Sequence, residues 1–151
     1  MKQTLPLKML IDLAQTEVDE ATRRLGALQQ QRNESQRQLD ALTQYRDEYR
    51  KRLANDSQIG MEASHWRNFQ QFIDTLDVAM GQQRSAIEAT DVRLTASKLD
   101  WQSRKQKLNS FETLQNRAQQ REDVRVSRAE QRESDEFAAK SVRSRVDLNF
   151  E

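Results

Sequence analysis

The chain has 151 residues, of which 32% are charged and only 35% hydrophobic, with three glycines and one proline. That length suits one domain, but apolar residues this sparse cannot fill a round core, and so few breakers favour long helices over strands. A formal net charge of +1 gives no global pull toward nucleic acid or membrane, and the lack of cysteine excludes disulfides and thiol chemistry.

The N-terminus reads MKQTLPLKMLIDLAQ. It has no uninterrupted apolar run of the kind that exports or anchors a chain, so the expectation is a mature, soluble protein compatible with the cytosol. Pro6 sits where a helix can begin, because its missing N–H is no loss in the first turn, and Thr4 is a candidate cap. From there, positions 7, 11, 14, 18, 21, 25, 28, 32, 35, 39, 42, 46, 49 and 53 alternate steps of three and four. All but Arg32, Ser35 and Arg46 are apolar, which is the seam of a coiled coil.

After Leu53 comes ANDSQIGMEAS, dense in turn formers, with Gly60 able to take a positive φ and Ser64 placed as an N-cap. The chain is expected to reverse near residue 59 or 60. The stretch Trp66–Met80 then restarts the seam at Trp66, Phe69, Ile73, Leu76 and Met80. In the same register it runs to Leu108 and Phe111, then fades through Gln115, Ala118, Glu122 and Arg125. A fold-back whose paired positions add to about 119 explains this fading, since Leu5 then lies opposite Leu114 and nothing opposes the rest. The predicted fold is all-α, a single antiparallel two-helix coiled coil. Arm one covers about 5–54, the turn about 55–63, arm two about 64–140, and a frayed tail 141–151. At 1.5 Å per residue the first arm is roughly 70 Å long. Gly26 and Gly81 interrupt the arms as candidate bends or points of close contact.

Nothing in the sequence supports catalysis. Three isolated glycines cannot write a phosphate-binding loop, and the one histidine, His65, reads as a solvated turn residue. The carboxylates are interleaved with arginine and lysine along helix faces, the pattern of flank ion pairs. The expectation is no enzyme, no cofactor, no metal and no small-molecule substrate.

Two surfaces stand out. Gln38, Leu42, Tyr45 and Tyr49 share offsets of 0, 4, 7 and 11 with Phe72, Leu76, Ala79 and Gln83, so each set is one helical stripe. In a hairpin the stripes oppose: 38 near 83, 42 near 79, 45 near 76, and 49 near 72. Either flank aromatics simply widen the core, or a partly exposed aromatic groove docks a partner. The second surface is Arg117, Arg121, Arg125, Arg128 and Arg132, a line along the unpaired helix. It is a solvated face offset by neighbouring carboxylates, or an electrostatic guide to an acidic protein surface. No aromatic residue interleaves with these arginines to stack on bases, so nucleic acid is not expected.

The residues also resemble the FliJ family of the flagellar type III export apparatus. The similarity lies in DLA and EVD near residues 12–19, Leu25-Gly26, the run from Tyr45 to Arg50, and Trp66 followed by NFQQFIDTL. Trp101 with its basic run and DEFA at 135–138 agree as well. The resemblance covers roughly residues 7–140. It implies a long helical hairpin similar to the central stalk of rotary ATPases, cytoplasmic and peripheral to the membrane at the flagellar base. It implies a monomer that binds the hexameric export ATPase, the cytoplasmic and linker region of the export gate membrane protein, and export chaperones. The aromatic set, Gln38, Leu42, Tyr45, Tyr49, Phe72, Leu76, Ala79 and Gln83, would be the gate-binding patch, and the arginine line would face the ATPase. The alternative left by the heptads alone is a homodimeric coiled-coil spacer.

Overall fold

The computed structural model describes residues 6–150. Two helices make up almost all of it, α1 from Leu7 to Ile59 and α2 from Ala63 to Leu148, with no strand among the described residues. They pack against each other as a helical hairpin, the fold class the heptads predict. Contacts divide the chain into two units: α1 through Gln15 with α2 from Gln106 onward, and the segment Thr16–Lys105.

Pro6 supplies the carbonyl that starts α1, accepting from the N–H of Leu10 at 3.2 Å and of Met9 at 2.9 Å. Thr4 and Leu5, the expected cap and the expected partner of Leu114, lie outside the described residues. The turn is shorter than the sequence suggests. Asn55, Asp56 and Ser57 remain helical, and α1 ends only at Ile59. Each of those residues costs a helix no more than about 0.7 kcal/mol against alanine, too little to stop it. Gly60 does stop it, at φ 101°, in the left-handed region where a side chain would be strained. The link is therefore Gly60–Glu62. The N–H of Trp66 bonds to the carbonyl of Glu62 at 3.1 Å, so Ser64 lies inside the first turn of α2 and is not its cap.

The far end of α2 differs too. The segment after Ser141, expected to fray, stays helical to Leu148. No glycine or proline follows Gly81, and Ala138, Ala139, Lys140, Arg143 and Arg145 are good helix formers.

Every predicted seam position of α1 from Leu7 to Leu53 is buried or half-buried, and so is every one in α2 from Phe69 to Phe111. In the Thr16–Lys105 unit the core is Val18, Ala21, Ile73, Leu76, Met80, Ile87 and Leu94; in the other unit Ala14 and Leu108 are buried. Trp66 is the exception. It is 46% exposed, lining a shallow depression with Ser57 and Met61 beside the link. From residue 112 to 140 every residue of α2 is exposed, in keeping with a helix face that has lost its partner. The seam is filled within one chain, whereas the homodimeric spacer would need it open to a second copy.

The arginine breaks in the seam turn out to be paired across it. Arg32 bonds to Asp91, and Arg46 reaches Asp77 at 3.3 Å. Arg104 bridges to Glu17 at 3.4 Å and to Asp100 at 3.1 Å, with Arg24 also on Asp100 at 3.4 Å. The Arg104 hydrogen bond holds the Asp100 carboxyl below its ordinary range. Trp101 donates its indole N–H to the Thr22 hydroxyl at 2.9 Å, and that hydroxyl donates in turn to the Val18 carbonyl at 2.8 Å. Residue numbers of side chains hydrogen-bonded across the helices add to between 121 (Gln38 with Gln83) and 124 (Arg24 with Asp100), above the expected 119. The cause is the turn, which centres on Met61 because α1 runs on past Asn55.

A Cβ built on Gly26 or Gly81 meets nothing within 4 Å, so neither glycine marks a close contact. Gly26→Ala and Gly81→Ala should each raise stability by up to about 1 kcal/mol, read as a higher thermal midpoint.

Candidate functional site

The two aromatic stripes meet in the Thr16–Lys105 unit, on one edge of the seam. Two of the four expected pairs are in direct contact and bracket the set. At one end the amide of Gln83 donates to Gln38 Oε1 at 3.1 Å and to the Ser35 carbonyl at 2.9 Å. At the other the Tyr49 and Phe72 rings lie 4.5 Å apart, tilted by 51°, and Tyr49 also meets Phe69 at 5.9 Å. These are favoured aromatic geometries rather than flat sandwiches. The Arg52 guanidinium lies 5.6 Å from the Tyr49 ring centre, close enough for a cation–π contact.

Depth divides the eight residues into a floor and a rim. Leu76 is only 8% exposed; Leu42, Tyr49, Ala79 and Gln83 are half-buried. Tyr45 is 55% exposed, Phe72 42%, and Gln38 is also exposed. The arrangement is a rigid apolar floor carrying two half-open aromatic rings. Leu76 is thus structural first: its truncation would disturb the core before it disturbed any docking. Nothing among these residues offers a nucleophile with a base at its side, so what the patch can do chemically is bind. The bland alternative, aromatics that only widen the core, fits Tyr49 but not Tyr45 or Phe72.

The edge formed by Arg46, Arg50 and Asp77 was missed by sequence reasoning. Asp77 holds both guanidinium groups, at 3.3 and 3.7 Å, and Arg46 Nε is buried without a hydrogen-bond partner. The signal was present as an arginine in the seam, but its partner can be found only once the register is fixed.

The arginine line lies on α2 beyond residue 106, and all five members are exposed. Arg125 grips Glu122 through two hydrogen bonds, at 2.7 and 3.1 Å, which holds the Glu122 carboxyl below its ordinary range. Arg117, Arg121, Arg128 and Arg132 have no ion-pair partner among the described residues. These exposed guanidinium groups make no direct ion pair among the described residues, but Glu122, Asp123, Glu130, Glu133, Asp135 and Glu136 surround them, so any pull on an acidic surface comes from the one face and not from the helix as a whole.

No group of three potential metal ligands occurs among the described residues, and no helix in them is long and apolar enough to cross a membrane. His65 is exposed in the first turn of α2.

Comparison with known proteins agrees with the resemblance read from the residues. The family model for the flagellar FliJ protein matches residues 1–146. The flagellar FliJ protein of Salmonella typhi is 35% identical over 142 residues, covering 94% of this chain and 97% of that protein. That of Escherichia coli strain K12 is 34% identical over 136 residues, covering 90% of this chain and 92% of its own length.

Proposed function

From the premise that this chain belongs to the flagellar FliJ family, we propose that it is a non-enzymatic stalk and adaptor in flagellar type III protein export. It binds the hexameric export ATPase and the cytoplasmic region of the export gate membrane protein, and it assists in handling export chaperones. It works at the inner face of the membrane at the flagellar base, as a monomer before assembly. Chemistry belongs to the ATPase, and this chain transmits or coordinates.

The observation that carries the proposal is the half-open pair Tyr45 and Phe72 over the Leu42–Tyr49–Leu76 floor. An exposed ring already packed on a neighbour, as Phe72 is on Tyr49 at 4.5 Å, loses less entropy on docking, and aromatic residues of this kind dominate interface energies. The gate protein is assigned to this patch. The ATPase is assigned to the arginine line, where Arg117, Arg121, Arg128 and Arg132 suit an acidic partner.

Titration of the purified chain against the cytoplasmic region of the gate protein tests the first assignment. Phe72→Ala should weaken binding at least about tenfold while moving the thermal midpoint little, since the ring is not part of the deep core. Equal binding by the variant would return Phe72 to a purely structural role. Titration against the export ATPase, with turnover as the readout, tests the second. Replacing Arg117, Arg121, Arg128 and Arg132 with glutamine should weaken the interaction and flatten its salt dependence.

A further inference from the structure

The back of α2, the face turned away from the seam, differs from the back of α1 in a way that neither the fold nor the proposed function uses. Take residues in steps of three and four along α1's outer face from Thr16 to Lys51: Glu20, Arg23, Glu34, Arg37, Glu48 and Lys51 all fall on that line. The equivalent line on α2, from Thr75 to Ser103, has nine positions and not one charge, in a chain that is 32% charged. All nine are exposed, and three are large aliphatics: Val78 at 63%, Val92 at 71% and Leu99 at 62%. Ala89 and Ala96 alternate with them. Val78, Val92 and Leu99 share one heptad position, so the line is a second coiled-coil seam laid behind the first.

Two of its four polar members, Thr75 and Ser85, are already suited to burial. The Thr75 hydroxyl donates to the Gln71 carbonyl at 2.9 Å and the Ser85 hydroxyl to the Gly81 carbonyl at 3.2 Å. Covering these two hydroxyls leaves neither unpaired, while Gln82 and Ser103 would take partners from the covering helix. One edge of the line carries a sign, whereas the other, Ala79, Ala86, Arg93 and Asp100, has one charge of each kind. On one side Asp74, Gly81, Glu88, Thr95 and Gln102 follow one another at seven-residue intervals, acidic or neutral, without a cation. Glu88 has no ion-pair partner among the described residues, and Asp74 only accepts the Gln70 amide, at 3.1 Å.

We propose that this face receives a third helix, contributed by another protein, that lies along α2 between Thr75 and Ser103. The occupant carries aliphatic residues at heptad spacing toward Val78, Val92 and Leu99, and lysine or arginine along the edge facing Asp74 and Glu88. Small alanines let its backbone come close, and the acidic edge sets which way round it lies. An oppositely patterned helix, acidic on that edge, is disfavoured by repulsion. This surface shares no residue with the aromatic patch, although Ala79 borders it beside Thr75 and Gln82.

The test uses the full chain and two synthetic helical peptides of four heptads, each with leucine at the seam positions, one with lysine flanks and one with glutamate flanks. Binding is followed by fluorescence anisotropy at low salt. The lysine-flanked peptide should bind at least about tenfold more tightly than its glutamate twin, given charge complementarity of this kind. Both Leu99→Glu and Val92→Glu should weaken that binding about tenfold or more, because each places an unpaired charge in the new seam. Circular dichroism and thermal midpoint should stay as in the parent chain, since both side chains point to solvent. Equal affinity for the two peptides, or binding indifferent to both substitutions, overturns the proposal. So does a sedimentation coefficient that rises with concentration in the parent and not in Leu99→Glu, which would assign the face to a second copy of this chain. A Phe72→Ala chain should bind the peptide normally, so failure of this proposal and failure of the gate assignment can be told apart.

Discussion

Met80→Ala is expected to lower the stability of the hairpin by about 2–5 kcal/mol, the cost of a large-to-small change at a fully enclosed site. Met80 is 0% exposed and sits in the seam between Leu76 and Gln83. Two helices alone cannot wrap a side chain on all sides unless small neighbours let the backbones close over it, and the space left by a truncated side chain has no third element to collapse into it. The measurement is urea unfolding followed by helicity, where the midpoint should fall while the slope holds. Phe72→Ala, half-open and at the rim, provides the contrast. Its loss should be read in binding, not in the unfolding midpoint. If both substitutions shifted the midpoint equally, the division of the aromatic patch into floor and rim would be wrong.

That division marks how far the sequence could be read. The seam was legible because its period is a property of single residues at fixed offsets, and Leu7 to Leu53 and Phe69 to Phe111 are buried or half-buried as the period requires. Opposition of the aromatic stripes was legible too, since Gln38 meets Gln83 and Tyr49 meets Phe72 once the chain turns back. Trp66 was misread, because periodicity alone cannot show that a large ring next to the link has little to cover it. The turn was misread for a related reason. Asn55, Asp56 and Ser57 favour turns locally, but a helix already anchored along its seam absorbs them, and only Gly60 enforces a stop. Depth was legible only in outline: Leu76 stood on the seam and Phe72 off it, but how far the Phe72 ring opens did not follow from spacing. That opening depends on a few tens of degrees around the helix axis, and the angle is set by which partner residues fill the seam.

The cross-seam ion pairs required the register itself, and they explain why there is only one. Arg32 faces Asp91 and Arg46 faces Asp77, fourteen residues apart on each helix. Between the two aspartates, at the same heptad position, stands Arg84. A slip of one heptad in either direction sets Arg32 or Arg46 against Arg84, so the native alignment is the one in which both arginines meet carboxylates. This is specificity by repulsion in the alternatives. Asp77→Arg should therefore be costly, about 3 kcal/mol, at the low end for a broken buried pair because the Asp77 side chain is 41% exposed. It removes the cross-helix partner of Arg46 and Arg50 together, leaving Arg46 only Asp47 at 3.5 Å and its buried Nε facing like charge. Arg46→Met, by contrast, should change stability by no more than about 1 kcal/mol, since an apolar side chain of similar length suits the seam and Asp77 keeps Arg50. The decisive variant combines Arg46→Glu with Asp77→Arg. Restoring the pair with its charges exchanged should recover most of the loss in a urea titration, and an exchange that recovers nothing would show that packing, not charge, fixes the alignment at this layer.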